Sequence, residues 1–315
     1  MQHAGPAGYA EKPQRLEGVV SYLRWKGWPI TEPCQHELAE EIAAEIHDPD
    51  YIERFRRAAE RGDGLFDSAD NPLSPGTWTA AWAAVETVLQ AADGAWLGHP
   101  AFAAVRPPGH HAERGLAMGF CYLNNVAVAA QYLRRHWGAE RVAIYDFDVH
   151  HGNGTQHLFE ERGDVLYVSS HQHPFYPGTG LPEERGMGAG LGATLNVALA
   201  AGDGDEALFS ALEEQILPAL RSFQPDVLLL SAGFDAWSGD PLGGLRVSLE
   251  GYTRLGQALG ELAAELCGGK MLSVLEGGYD LSRLPELVAS YLRGCSSGLG
   301  LPELPDTDDL GETEM

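Results

Sequence analysis

A chain of 315 residues with 44% hydrophobic residues, 39 glycines and a formal net charge of −24 can bury a large core, and it is too apolar to be disordered. So acidic a surface repels phosphate backbones, which argues against direct nucleic-acid binding and favours a cationic substrate or peptide. No apolar run approaches the ~20 residues of a membrane span, the amino terminus lacks a charged-then-apolar leader, and Cys34, Cys121, Cys267 and Cys295 show no CxxC spacing, so a cytoplasmic protein with reduced thiols is expected.

In chain order, residues 31 to 74 carry little regular patterning and are expected to form loops and short helices around the mouth of a sheet. Ser74-Pro75 reads as a cap with proline at the first helical position, followed by Trp78, Trp82, Val85 and Leu89 at helical spacing. "AFAAVR" follows as a short buried strand. Apolar stripes at Val126/Ala130/Leu133/Trp137, Leu208/Leu212/Ile216/Leu220 and Tyr252/Leu255/Leu259/Leu262/Leu266 predict further helices. Between them, "RVAIYDF", "DVLYVSS", "TLNVAL", "DVLLLSAG" and "KMLSVLEGG" predict strands. Continuous apolar strands separated by helices indicate an α/β fold: a single domain with a multistranded, mostly parallel sheet and helices on both faces. A catalytic domain over residues 1–300 and an acidic, mobile tail over 301–315 are expected, since "LPELPDTDDLGETEM" holds six acids and no base.

In a parallel sheet, sites form where strands end at their carboxyl termini. Four expected strands end in polar residues: His110-His111, Asp148-Val-His150, Asp235 and Tyr279. Asp146, Asp148 and His150 fall on alternate residues, so an extended chain would point them the same way. A lone Asp-x-His is a weak signal; Asp235 at a second strand end strengthens it. Asp148, His150 and Asp235 would give Zn²⁺ three O/N ligands and leave a fourth position for water, as in a catalytic site. One imidazole of the His110-His111 pair would shuttle the water's proton and the other would help hold charge. Asp146 and Asn153 are placed to fix the imidazole tautomers. Tyr279, after two glycines, could aim its phenol at an oxyanion.

"RPPGHHA", "MGFCYLNNVAVAA", "DFDVHHGNGTQ", "FYPGTG", "SAGFDAWSGDPLGGL" and "LEGGYD", in order across roughly residues 3 to 295, resemble the zinc-dependent histone deacetylase family with its arginase/deacetylase fold. The asparagine of "HHGNGTQ" is similar to the class II branch and its bacterial relatives, the deacetylase-like and acetylpolyamine amidohydrolases, and the chain's brevity points to a bacterial source. The resemblance implies one Zn²⁺ on Asp148, His150 and Asp235. It implies His111 as general base and acid beside Asn153, His110 as its electrostatic partner paired with Asp146, and Tyr279 as the oxyanion donor. Phe120 and Tyr176 would wall an acyl-lysine tunnel, and the Gly119 carbonyl would accept the substrate amide proton. Arg15 in "EKPQRL" matches an arginine of an internal channel for acetate release. K⁺ or Na⁺ is implied at a structural site of Asp146, Asp148, His150, Ser169 and Ser170, and at a second near Phe159, Arg162 and Val165.

Two departures from the family pattern stand out. Members usually begin with an apolar strand before the histidine corresponding to His3, whereas this chain starts almost at it: either an edge strand is missing or the true start lies upstream. Polyamine-selective relatives carry a glutamate where this chain has Leu242, and leucine cannot attract a distal ammonium, so an acetylated lysine in a protein or peptide is favoured over an acetylated polyamine. A two-manganese arginase-like site lacks its extra aspartates, since Gly233 and Phe234 precede Asp235. A catalytically silent acyl-lysine-binding scaffold is disfavoured because no catalytic group is lost. The oligomeric state, a homo-oligomer included, is left open.

Overall fold

The computed structural model describes residues 3–305. Its centre is a sheet of strands β3 (Ala101–Ala103), β4 (Val142–Asp146), β5 (Val165–Gln172), β6 (Thr194–Leu199), β7 (Val227–Ala232) and β8 (Met271–Leu275), preceded in the chain by a two-stranded antiparallel ribbon, β1 (Leu65–Phe66) and β2 (Ser68–Pro72). The spatial order is β3-β8-β7-β4-β5-β6, and every neighbouring pair is parallel. Each strand expected from its apolar run is present.

The continuous apolar character of these strands follows from coverage on both faces. Along β4, Val142 and Ile144 join one core while Ala143 and Tyr145 join the other, and β7 repeats the alternation with Val227/Leu229 and Leu228/Leu230. One face is covered by helices α2 (Ala39–Ile46), α3 (Pro49–Arg61), α4 (Thr77–Trp96) and α5 (Asn125–His136), with α6 (Asn153–Phe159) at its edge. The other carries α1 (Gln14–Trp25), α7 (Asp205–Ala211), α8 (Leu217–Phe223), α9 (Leu249–Cys267) and α10 (Leu284–Gly298). A five-residue π segment, Leu212–Ile216, joins α7 to α8, so the expected Leu208–Leu220 stripe runs through one continuous helical stretch. Helices α9 and α10 approach closely because glycines line both: a Cβ on Gly256 would lie 2.1 Å from the Tyr291 carbonyl oxygen, and one on Gly294 would lie 2.0 Å from that of Thr253.

Two expectations need correction. Helix α4 begins at Thr77 with Gly76 before it, and Ser74-Pro75 forms the preceding turn: the Thr77 N–H donates to the Ser74 carbonyl at 3.0 Å, and the Ser74 N–H donates to Thr77 Oγ1 at 2.8 Å. Residues 31 to 74 form the short helices expected there, and α2 and α3 bury Ile42, Ile46, Tyr51 and Phe55 against α4 and α5. The expected tail begins as packed chain: Ser296 Oγ donates to the Pro302 carbonyl at 3.0 Å, the Trp28 indole N–H donates to that of Pro305 at 2.8 Å, and Leu304 packs on the core. The rest of that tail, 306–315, lies outside the described residues. All four cysteines are free thiols. Among the described residues no helix is long and apolar enough to cross a membrane.

Candidate active site

Strands β3, β8, β7 and β4 are consecutive neighbours, so their carboxyl ends deliver His110-His111, the Glu276–Tyr279 turn, Asp235 and Asp146–His150 to one crevice. Asp148, His150 and Asp235 bring one ligand atom each to within 4.8 Å of one another. His150 Nδ1 lies 3.0 Å from Asp148 Oδ1 and 3.2 Å from Asp235 Oδ2. Backbone amides hold the other carboxylate oxygens: Gly277 N–H donates to Asp148 Oδ2 at 2.8 Å, His150 N–H to Asp148 Oδ1 at 2.9 Å, and Val149 N–H to Asp235 Oδ1 at 2.9 Å. Asp235 Oδ2 is buried and makes no hydrogen bond.

This donor set fits a divalent cation. Two fully buried carboxylates cost far too much to bury uncompensated, and one aims an unsatisfied oxygen at the point where an imidazole nitrogen also converges. The same negative potential shows in the neighbouring imidazoles. Burial alone would lower His110 and His150, yet Asp146 and Asp148 push the first up to about 10, and Asp148 and Asp235 push the second up to about 10. Gly277 is required for the close approach, because a Cβ there would lie 2.0 Å from Asp235 Oδ2 and 2.5 Å from Asp148 Oδ2.

The paired histidines differ in character. His110 Nδ1 is 3.0 Å from Asp146 Oδ2, and its backbone N–H, with that of Gly109, donates to Glu276 Oε2 at 3.1 and 2.7 Å. His111 Nδ1 is 2.8 Å from Asn153 Oδ1, and burial together with the His110 and His150 rings drives its basicity well below the ordinary histidine value. The two rings are 4.0 Å apart, one favouring the cation and the other the neutral base, the division that acid-base chemistry needs.

Tyr279 is 8% exposed; burial raises its phenol well above the ordinary value, so it is a neutral donor. Phe120, held at φ 70°, meets the Tyr279 ring edge-on at 5.8 Å. Tyr176, 38% exposed, meets His111 edge-on at 5.2 Å. Gly119 adjoins Phe120 and packs so closely on His111 that a Cβ would lie 2.3 Å from its ring. Leu242 donates its N–H to Asp240 Oδ1 at 2.9 Å, and Asp240 Oδ2 accepts from Tyr279 N–H at 2.6 Å, so the Leu242 loop is tied to the tyrosine's backbone. Asp146 pairs in register with Ser169, whose hydroxyl is 2.9 Å from His171 Nδ1, while that of Ser170 is 2.8 Å from Tyr145 OH. Phe159, Arg162 and Val165 lie together at the turn into β5, the Arg162 N–H donating to the Phe159 carbonyl at 2.8 Å.

Sequence reasoning missed several neighbours. Phe175 stacks on His150 at 5.3 Å, a contact created by the turn before Tyr176. Arg15, which the sequence had singled out, lies beneath the crevice: its Nε donates to the Gly278 carbonyl at 2.6 Å and its guanidinium lies 4.8 Å from the Tyr279 ring centre, while its buried neighbours Glu11 and Arg106 were not foreseen. Arg15 also reaches Glu11 Oε1 at 3.2 Å, and Arg106 binds the same carboxylate through two nitrogens at 2.7 and 2.6 Å. Burial alone would raise Glu11, but the His3 ring 3.4 Å away and the hydrogen-bonded Arg106 guanidinium carry it down to about 2. A carboxylate lowered by folding stabilises the fold above its unfolded value of 4.5 and loses that contribution as pH falls toward 2. Glu11→Gln is therefore expected to cost about 3–5 kcal/mol at neutral pH, leaving two buried guanidinium groups without their counter-charge, and to flatten the loss of thermal stability between pH 4.5 and 2, read by calorimetry.

A family model described as "Histone deacetylase domain" matches residues 9–295. Histone deacetylase 10, chloroplastic, of Oryza sativa is 49% identical over 203 residues, covering 64% of this chain and 45% of the rice protein, so the chain spans less than half of that relative. The acetylpolyamine amidohydrolase of Burkholderia pseudomallei is 38% identical over 320 residues, covering 90% of each chain. The crystal structure of an acetylpolyamine aminohydrolase from the same organism superposes with a TM-score of 0.82 at 35% identity, covering 92% of each chain.

Proposed function

The chain belongs to the histone deacetylase family, and from that premise we propose that it hydrolyses the amide of an acetylated aliphatic amine, first an acetyl-lysine side chain in a protein or peptide, releasing acetate. The observation that carries this reading is the convergence of a three-ligand cluster, a neutral imidazole and a neutral phenol in one crevice. Asp148, His150 and Asp235 would hold Zn²⁺, which supplies Lewis acidity toward the carbonyl and toward water. His111 takes a proton from the attacking water at Nε2 and returns it to the departing amine nitrogen. Tyr279 donates its phenolic proton in a hydrogen bond to the carbonyl oxygen as negative charge grows there. The His110–Asp146 pair stabilises charge beside the base. Phe120, Tyr176 and Phe175 give an apolar lining that suits a methylene stem and excludes water, and the Gly119 carbonyl serves the substrate N–H. Ser169 and Asp146 would share a monovalent cation behind the site. One catalytic domain over residues 1–300 carries these groups.

The similarity to acetylpolyamine amidohydrolases over 90% of both chains supports a second reading with the same chemistry on an acetylated diamine. Leu242 favours the peptide, since it offers no charge to a distal ammonium. The test is kcat/KM of zinc-loaded protein on an acetyl-lysine peptide and on an N-acetyl diamine. At least tenfold preference for the peptide, about 1.4 kcal/mol in transition-state binding, is expected; preference for the diamine would overturn the substrate and leave the chemistry standing.

A further inference from the structure

The amide of Asn153 lies between His111 and Glu113. Its Nδ2 is 2.5 Å from Glu113 Oε1, and its Oδ1 is 2.8 Å from His111 Nδ1. The carboxylate can only accept, so the amide nitrogen must face Glu113 and the amide oxygen must face His111. His111 then has to carry its proton on Nδ1, which leaves Nε2 free to act as the base. Without Glu113 the amide could turn over, present its NH₂ to His111 and favour the opposite tautomer, with the proton on the nitrogen that must accept one. An asparagine beside a catalytic histidine carries this ambiguity intrinsically: in serine proteases, replacing the triad aspartate by asparagine selects the wrong tautomer and costs about 10⁴-fold.

Glu113 is itself held in place. Its N–H donates to the Leu116 carbonyl at 3.0 Å, and its own carbonyl accepts from His47 Nδ1 at 2.9 Å. His47 is buried, and its Nε2 accepts from Asn124 N–H at 2.9 Å, which fixes that ring as neutral and as a donor to Glu113. On its outer side the Glu113 carboxylate accepts from His157 Nδ1 at 2.8 and 3.0 Å, and His157 is 41% exposed. A continuous file, His111–Asn153–Glu113–His157, therefore runs from the crevice to the surface.

We infer that Glu113 is a positioning residue for proton transfer: through the Asn153 amide it holds His111 in the Nδ1–H tautomer and places a negative charge behind the ring when the ring is protonated. This inference rests on the proposed hydrolytic role of His111. Glu113→Gln keeps the shape and removes both the charge and the acceptor-only constraint. In the zinc-loaded full chain it is expected to lower kcat by about tenfold to a hundredfold with KM within about twofold. In an Asn153→Ala background the same change should add less than about twofold, since the effect passes through that amide. A second readout needs no turnover. In ¹⁵N-histidine-labelled protein, His111 should show the Nδ1–H tautomer in the wild type and a substantial Nε2–H population in Glu113→Gln, with the thermal midpoint unchanged. Wild-type kcat together with an unchanged tautomer in Glu113→Gln overturns the inference. If the wild type hydrolyses neither substrate, the proposed reaction fails by itself, and the tautomer measurement still decides the role of Glu113.

Discussion

Replacing Asp235 by alanine is expected to remove Zn²⁺ binding and to lower kcat/KM by roughly a thousandfold or more. The residue presents the unsatisfied Oδ2 and holds the chain through Val149 N–H, so its loss deletes one of the three candidate ligand atoms and releases the loop that carries His150. Lewis-acid stabilisation is worth several kcal/mol, and each factor of ten takes about 1.4 kcal/mol. The variant should still fold, because removing one of two adjacent buried carboxylates relieves repulsion that Asp148 exerts on it. Metal content per chain after dialysis, measured beside the thermal midpoint, separates these effects: a folded variant that keeps stoichiometric zinc would remove Asp235 from the ligand set.

The second large effect is expected from Tyr279→Phe. The ring stays packed against Phe120 and beneath the Arg15 guanidinium, and only the hydroxyl is lost. A single oxyanion donor is worth about 10²–10³ in kcat, so turnover should fall by that factor while KM, zinc content and stability change little. Steady-state kinetics with metal analysis checks it; a variant with wild-type kcat would show that the phenol takes no part in the reaction.

Much of this was legible in the sequence because a parallel sheet couples chain order to function. Apolar runs marked the strands and strand ends marked the crevice, but the extended run expected through Asp146, Asp148 and His150 stops at Asp146: β4 ends there and residues 148–150 bend, with Asp148 N–H donating to Asp146 Oδ1 at 3.2 Å and His150 N–H to Asp148 Oδ1 at 2.9 Å. The partnership of Asp235 with that row needed the strand-end rule, since the residues meet only because β7 lies beside β4. What stayed hidden depends on tertiary meeting points with no local period. Arg106 and Glu11 are separated by 95 positions, and nothing in "EKPQRL" announces that its glutamate neutralises two buried arginines. Phe175 reads as an ordinary aromatic in "FYPGTG" until the turn lays it on His150. Glu113 stands two residues after His111 in a charged stretch that resembles solvated surface, and its role appears only when α6 brings Asn153 and His157 to it. Helix α10 was missed because its glycine-interrupted pattern makes sense only against the matching glycines of α9.

The most direct test of the account is acetate release from an acetyl-lysine peptide by protein stripped of metal with a chelator and then titrated with Zn²⁺. Activity that is absent in the stripped protein, rises linearly to one zinc per chain, and does not return in Asp235→Ala is the predicted result. Undiminished hydrolysis by the stripped protein, or no hydrolysis of either the peptide or the acetylated diamine at one zinc per chain, would contradict it.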